Sequence, residues 1–339
     1  MDLYKPYPIY NKNGTLLAFD VFIKNNILYF IMPLYKNYPL YNQIKIFIKD
    51  CNIKLNKDII KDAYEAHRIL SYKIIPKFKK TIDTHTIVII YNNRKHTFSI
   101  PYTPLFQYKD TLSLTTLCKN DYKLIPSFIN YYKNQGVERF YIYYNGILTE
   151  SLCRELETII DANIFQNIIF IEWNFSYSNN NTRHSIHHAQ LAQIHHAIYY
   201  FGKQNSKYMT FCDLDEYLYI SKNTSIMELI KSKPNIDTFV FHNMWAQFIK
   251  DQPIPKNMLP NKFLLSRKKD TYKWRSKCIH KIESIKTINI HQHYGYNIKV
   301  PAYSMNYTMF HFFNLSQPNR LIDDLEKFVK FTEIELYKY

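Results

Sequence analysis

The hydrophobic positions change rhythm about a third of the way along the chain. Up to Tyr108 the apolar residues come in short β-branched or aromatic runs, at 16–23, 27–32, 43–48 and 86–91, separated by Asn, Lys and Pro. Such runs predict strands. One helix is expected over 57–69, and the stretch 96–104, with Pro101 and Pro104, reads as an extended link. There is no internal repeat. The pattern outlines a small β-rich N-terminal domain over 1–108 whose role the sequence does not declare.

From Thr111 strands and helices alternate. A strand over 112–117 leads to a helix that Pro126 can open, Phe128, Ile129 and Tyr132 can bury, and Gly136 can close. A second strand follows over 140–144. Thr149 then caps a helix striped by Leu152, Leu156, Ile159 and Ile160. A third strand covers 168–173. Ile186, Ala189, Gln193, Ala197 and Tyr200 mark the buried side of a long helix before a fourth strand at 208–212. This order predicts an α/β fold, a mostly parallel sheet flanked by helices, over 109–318, with a C-terminal helix over 319–339. Ligands of such sheets bind beyond the carboxyl ends of the strands. Those ends carry Lys119-Asn120-Asp121, Asn145, Trp173 and Asp213-Leu214-Asp215.

The last of these is the sharpest chemical signal. Asp213 and Asp215 flank an apolar residue just past a strand, so strand alternation would turn both carboxylates to one face and Leu214 to the core. Mn²⁺ or Mg²⁺ prefers hard oxygen ligands and typically takes one or two carboxylates plus substrate phosphates. Two Asp in a polar loop more often solvate it or cap a helix. The buried strand before them shifts the balance toward an ion, because unpaired charge is costly there.

Composition narrows the field. A hydrophobic fraction of 46% with 17% aromatics excludes a chain disordered by composition. The net charge of +16 would suit phosphorylated ligands or nucleic acid, but the basic residues are scattered, so no nucleic-acid partner is expected. The five cysteines form no CxxC pair, and Cys118 and Cys212 read as core residues of a chain made in a reducing compartment. The N-terminus does not read as a signal peptide, and the apolar run at 27–35 is far below the ~20 residues of a membrane helix. The expectation is a cytoplasmic protein without a transmembrane segment, peripheral to a membrane only where a partner anchors it. His184, His187, His188, His195 and His196 invite a zinc reading, but no acidic residue lies within 179–202. They are expected to form a polar helix face.

The run from Leu117 through Asn120, Asp121 and Pro126, with Phe128 to Gly136 and on to Tyr144-Asn145, resembles the opening of glycosyltransferase family 92. Asp121 stands where that family has Glu. Ordered blocks continue the likeness across roughly 111–318: Gln190 ahead of Asp213-Leu-Asp-Glu-Tyr217, Trp245-Ala-Gln-Phe248, the segment from Lys277 to His291, and His311 to Ser316. The resemblance implies a GT-A fold and transfer of a sugar from a nucleotide-sugar donor, UDP-linked, to a glycan or other hydroxylated acceptor, with inversion. It implies that Asn120, Asp121 and Asn145 face the nucleotide, that Asp213 contacts ribose or metal, and that Asp215 holds the metal. His311, or second His291, would complete that site, and Lys277 or Arg275 would contact the diphosphate. An inverting transfer also needs a base, with Glu216, Asp251, Asp270 and Glu283 as candidates. Glu216 has a slight edge from its place beside the metal pair, unless it merely holds the loop. Trp245 and Phe248 would offer an aromatic platform to the acceptor. The alternatives are a basic nucleic-acid-binding module and a catalytically degenerate scaffold; the sequence does not speak to oligomeric state.

Overall fold

The structure, a computed structural model, describes residues 1–11, 13–24, 27–33, 35–36, 45–48, 57–61, 67–73, 84–91, 94–101, 109–182, 187–220, 224–249, 262–266, 275–291, 307–312, 315 and 331–335. The N-terminal third forms β1 (Asp2–Tyr4), β2 (Ile9–Tyr10), β3 (Leu16–Ala18), β4 (Asp20–Lys24), β5 (Ile27–Pro33), β6 (Lys45–Ile48), β7 (Lys57–Lys61), β8 (His67–Lys73), β9 (Thr84–Tyr91) and β10 (Arg94–Pro101). β4, β5, β8 and β7 make one antiparallel sheet, and β10, β9 and β6 another. Where a helix is expected over 57–69, the described residues 57–61 and 67–69 are strand: β7 and β8 pair antiparallel, with Ile59 opposite Leu70 and Ile60 opposite Ile69. Pairing of β8 with β5 supplies a sheet context that overrides the helical spacing. The expected link at 96–104 is likewise strand up to Pro101, paired along its length with β9.

The alternating region follows as β11 (Asp110–Cys118), α1 (Ile125–Asn134), β12 (Arg139–Tyr144), α2 (Glu150–Ile159), α3 (Ala162–Phe165), β13 (Ile168–Glu172), α4 (His188–His196), α5 (Lys203–Asn205) and β14 (Ser206–Phe211). It ends with β15 (Glu216–Ile220), α6 (Ile226–Ser232), β16 (Thr238–Gln247), β17 (Lys262–Ser266), β18 (Lys277–Lys281), β19 (Tyr307–Phe312) and β20 (Phe331–Glu335). Local signals explain the boundaries. Thr149 caps α2 by accepting from the Leu152 backbone N–H. Gly136 takes φ +91° just past α1, where an added Cβ would lie 2.4 Å from Met227. At the far end, where a C-terminal helix over 319–339 is expected, Phe331–Glu335 form β20, paired antiparallel with β17; the rest of that span lies outside the described residues.

The large sheet runs β1-β13-β12-β11-β14-β18-β16-β17-β20. Its first five strands are parallel to one another, and β18 joins β14 antiparallel. Side chains alternate between two cores. Leu112, Leu114, Phe140, Ile142, Ile168 and Phe170 face α1, α2 and α6. Tyr141, Tyr143, Ile169, Ile171, Met209 and Phe211 face α4 and the N-terminal residues Phe19, Phe22 and Ile31. The chain runs outward from β11 through β12 to β13, then returns to β14 on the other side of β11. That reversal is the switch point at which such sheets open a crevice.

α4 is buried on every side because N-terminal strands cover the face it turns away from the sheet. This corrects the expected polar histidine face. His195 bonds the Leu191 carbonyl, and His196 finds its carboxylate outside its own segment, in Asp20. His196 Nε2 donates to Asp20 at 2.7 Å while Tyr143 donates to Nδ1 at 2.6 Å. Burial holds this imidazole below its ordinary pKa, and Asp20 opposes that only in part. Tyr4 and the backbone N–H groups of Tyr7 and Val21 complete the bonds to Asp20. Asp20→Ala leaves these donors buried without their acceptor and should cost about 2–3 kcal/mol. A urea midpoint unchanged from wild type would show that the N-terminal strands are not anchored this way.

Candidate active site

Asp213 and Asp215 lie beyond β14 in a turn closed by the Glu216 N–H on the Asp213 carbonyl. The extended alternation expected from the sequence therefore does not apply, although Leu214 is buried in the core as foreseen. The turn gathers three carboxylates. Asp213 Oδ1 accepts from Gln190 Nε2 at 2.7 Å, and its Oδ2 lies 3.2 Å from Lys277 Nζ. Lys277 also meets Glu216 Oε2 at 2.9 Å, an oxygen that accepts from the Asp213 N–H as well. Asp215 Oδ2 faces His311 Nε2 at 3.5 Å. The register explains that meeting: β15 opens at Glu216 opposite His311, and the Phe312 N–H bonds the Asp215 carbonyl.

The electrostatics follow from burial and from the neighbouring charges. Burial pushes the Glu216 carboxyl up to about 6 against the pull of Lys277. The Lys277 ammonium is raised: burial opposes its charge, but Asp213 and Glu216 outweigh that. For His311, burial pulls down and the carboxylates, Asp215 first, pull up further, so it ends above its ordinary value. His291 moves the other way, to about 2, through burial and the positive field of Lys277, Arg275, His187 and His311. Asp121, at the end of β11 across the switch point, is raised by burial and by the fields of Asp215 and Asp213.

The structure sorts the expected residues by position. Asp121, Gln190, Asp213, Asp215, Lys277 and His311 converge, whereas His291 sits among the cations. Asn120 is exposed beside Asp121. Asn145 is buried and spends its amide hydrogens on the carbonyls of Trp173 and Phe175, so that group braces the loop after β13. Trp173 is wholly buried, its indole donating to Ala189. Glu216 is 1% exposed, and its bonds to Lys277 and the turn remove it from reach of an acceptor, so it holds the loop. Lys277 is 2% exposed and neutralises acids, while Arg275 is the exposed cation, over the Trp245 ring at 5.3 Å. Trp245 and Phe248 are buried, against His311 and Phe312 respectively, so these rings form wall and core in place of an open platform. Glu283 is exposed and paired with Lys281. Asp251, Asp270 and His184 lie outside the described residues.

Residues 113–336 match the family model for Glycosyltransferase family 92. The chain belongs to that family. The match begins inside β11 and ends just past β20, so it takes in the whole switch point and the residues gathered there. Membership makes the chain a glycosyltransferase with the α/β, GT-A-like architecture described above. No curated protein compared with the chain matches it. Among the described residues, no helix is long and apolar enough to cross a membrane.

Tyr177 of this glycosyltransferase escaped the sequence reading, and His187 entered it only as one of the histidines of an expected polar helix face. Tyr177 follows β13, and its hydroxyl bonds both His187 Nδ1 (2.7 Å) and Gln190 Oε1 (3.0 Å). His187, at the N-cap of α4, holds φ +61°, the one positive φ of a non-glycine residue among those described. The available signal was position: both fall in the connection leaving a parallel strand's carboxyl end.

Proposed function

We propose that this family 92 member transfers a sugar from a nucleotide-sugar donor, UDP-linked, to a hydroxyl-bearing acceptor with the help of Mn²⁺ or Mg²⁺. The observation that carries this reading is the meeting of Asp213, Asp215, Lys277 and His311 at the switch point. Inversion at the anomeric carbon rests on the family resemblance alone.

The donor set fits such an ion. Asp215 and His311 offer a carboxylate oxygen and an imidazole Nε2 facing one another, while the buried His311 Nδ1 lies 3.8 Å from Glu216 Oε1. Among the described residues no group of three or more His, Cys, Asp or Glu is arranged to hold an ion. Donor phosphate oxygens would therefore complete the shell, as these ions commonly accept. Bound there, the ion would offset charge developing on the leaving diphosphate. The chain's own groups do the rest. Gln190 and Lys277 fix the Asp213 carboxylate so that it can accept from ribose hydroxyls or help hold the ion. Arg275, on the exposed side of Trp245, suits a phosphate oxygen through a charge-assisted bond. With Glu216 committed to Lys277 and Glu283 to Lys281, Asp251 and Asp270 stay the base candidates.

A thermal-shift screen of nucleotide sugars with and without Mn²⁺ tests the class. The expected result is stabilisation by UDP-sugars that needs the ion; no shift with any nucleotide sugar would remove the reading. His311→Ala is expected to weaken Mn²⁺ binding in the presence of UDP by about tenfold or more, and His291→Ala much less. The reverse order in a calorimetric titration would exchange their roles.

A further inference from the structure

Strand β16 runs past the acids with its two faces in different company. Met244 and Ala246, with Phe248 just beyond them, turn into the core they share with Phe310 and Phe312. Alternation sends Asn243, Trp245 and Gln247 to the other face. The Trp245 ring identifies that face, because its centroid lies 4.4 Å from that of His311, its register partner on β19. Asn243 and Gln247 therefore flank Trp245 on the side that carries His311.

Burial without a partner sets these two amides apart. Asn243 is 4% exposed and Gln247 6%. Among the described residues, neither amide atom of Asn243 has a hydrogen-bond partner, and the Gln247 carbonyl oxygen has none. A polar group buried in this way costs the fold free energy that an apolar side chain of similar shape, Leu for Asn or Met for Gln, would not. Side chains that weaken their own fold beside a site are expected where the site uses them.

The chemistry of an amide selects the ligand class. It offers N–H donors and a carbonyl acceptor together, and a hydroxyl can satisfy both because it donates and accepts. A phosphate oxygen only accepts, so it would leave the carbonyls unmet. Topology then says which hydroxyls arrive. The order across the sheet is β11, β14, β18, β16. A nucleotide lies at the switch point beside β11, the acids follow β14, and β16 lies beyond both. The part of a nucleotide sugar that reaches β16, past the diphosphate, is the sugar.

We propose that Asn243 and Gln247 bind hydroxyl groups of the sugar being transferred and so set which sugar nucleotide the protein accepts. The inference rests on the donor reading above and extends it from the nucleotide to the sugar. A sugar whose hydroxyls meet both amides satisfies atoms that the fold leaves unpaired. One whose hydroxyls miss them leaves those atoms buried and unmet, and is rejected.

The test is calorimetry on the full chain with Mn²⁺ and four probes, UDP, UDP-glucose, UDP-galactose and UDP-N-acetylglucosamine, together with thermal melts without ligand. For the UDP-sugar that binds wild type most tightly, Asn243→Leu and Gln247→Met should each lose about tenfold in affinity. UDP should bind both variants within about twofold of wild type, because the amides touch only the sugar. Without ligand, both variants should melt at or above the wild-type midpoint. Unchanged UDP-sugar affinity in both would overturn the assignment and leave the donor reading standing. Equal loss for UDP and the UDP-sugar would also overturn it, since the residues would then act on the nucleotide or the ion. Midpoints well below wild type in both would overturn it too, by showing that the amides serve the fold. A wild-type protein that binds no UDP-sugar would remove the donor reading and the assignment together.

Discussion

Asp215→Ala should abolish cation-dependent binding of the nucleotide sugar and lower turnover by about 10³-fold, with the fold intact. The size of the effect follows from how few groups can do the same work. Asp213 already has one oxygen on Gln190 and the other beside Lys277. Glu216 is spent on Lys277 and the turn. Asp215 faces His311 Nε2 across 3.5 Å, closer than Glu216 Oε1 comes to Nδ1 at 3.8 Å. Its replacement leaves the backbone bond from Phe312 to residue 215 in place, so β15 and β19 should stay paired. Circular dichroism and donor calorimetry on one sample separate the two effects. Donor affinity unchanged with Mn²⁺ present would place the ion elsewhere.

Lys277→Met should cost stability more than any other single change in the site. It removes the ammonium between Asp213 and Glu216 and leaves Glu216, 1% exposed, charged without its partner. Breaking a buried pair from one side costs about 3–5 kcal/mol. At about 2–4 °C per kcal/mol, the midpoint should fall by roughly 6–20 °C. The double variant Lys277→Met/Glu216→Gln removes the stranded charge and should recover roughly half of that loss. Asp213 needs no such relief, because its carboxylate is partly in water. A double variant no more stable than Lys277→Met alone would show that packing, and not charge, set the cost.

What was legible in the sequence was local. Pro126, Thr149, Gly136 and the apolar spacings sufficed to place α1, α2 and the four parallel strands, because caps and periodicity act within a few residues. The acid pair was visible as a short motif, but the strand alternation expected to aim it is replaced by a turn. What failed depended on partners distant in sequence. Residues 57–61 and 67–69 become strand in the sheet that β5 shares, and α4 is buried because strands more than 150 residues earlier cover it. Asp20 answers His196 across 176 residues, beyond any motif window. The roles of Glu216 and Lys277 were likewise hidden, since only the β14–β18 pairing sets an ammonium between two acids. Tyr177 carried no residue-type signal in a chain with 31 tyrosines.

The arrangement of Asp215 and His311 makes a direct demand on how ion and donor bind. With two protein groups facing each other and phosphate needed to complete the shell, each ligand should strengthen the other by the same factor. Titrating Mn²⁺ into the protein with and without saturating UDP measures that factor. The account predicts weak binding alone and binding at least tenfold tighter with UDP, a gain lost in Asp215→Ala. Mn²⁺ binding that is equally tight in the absence of UDP, or that survives the substitution, would contradict it.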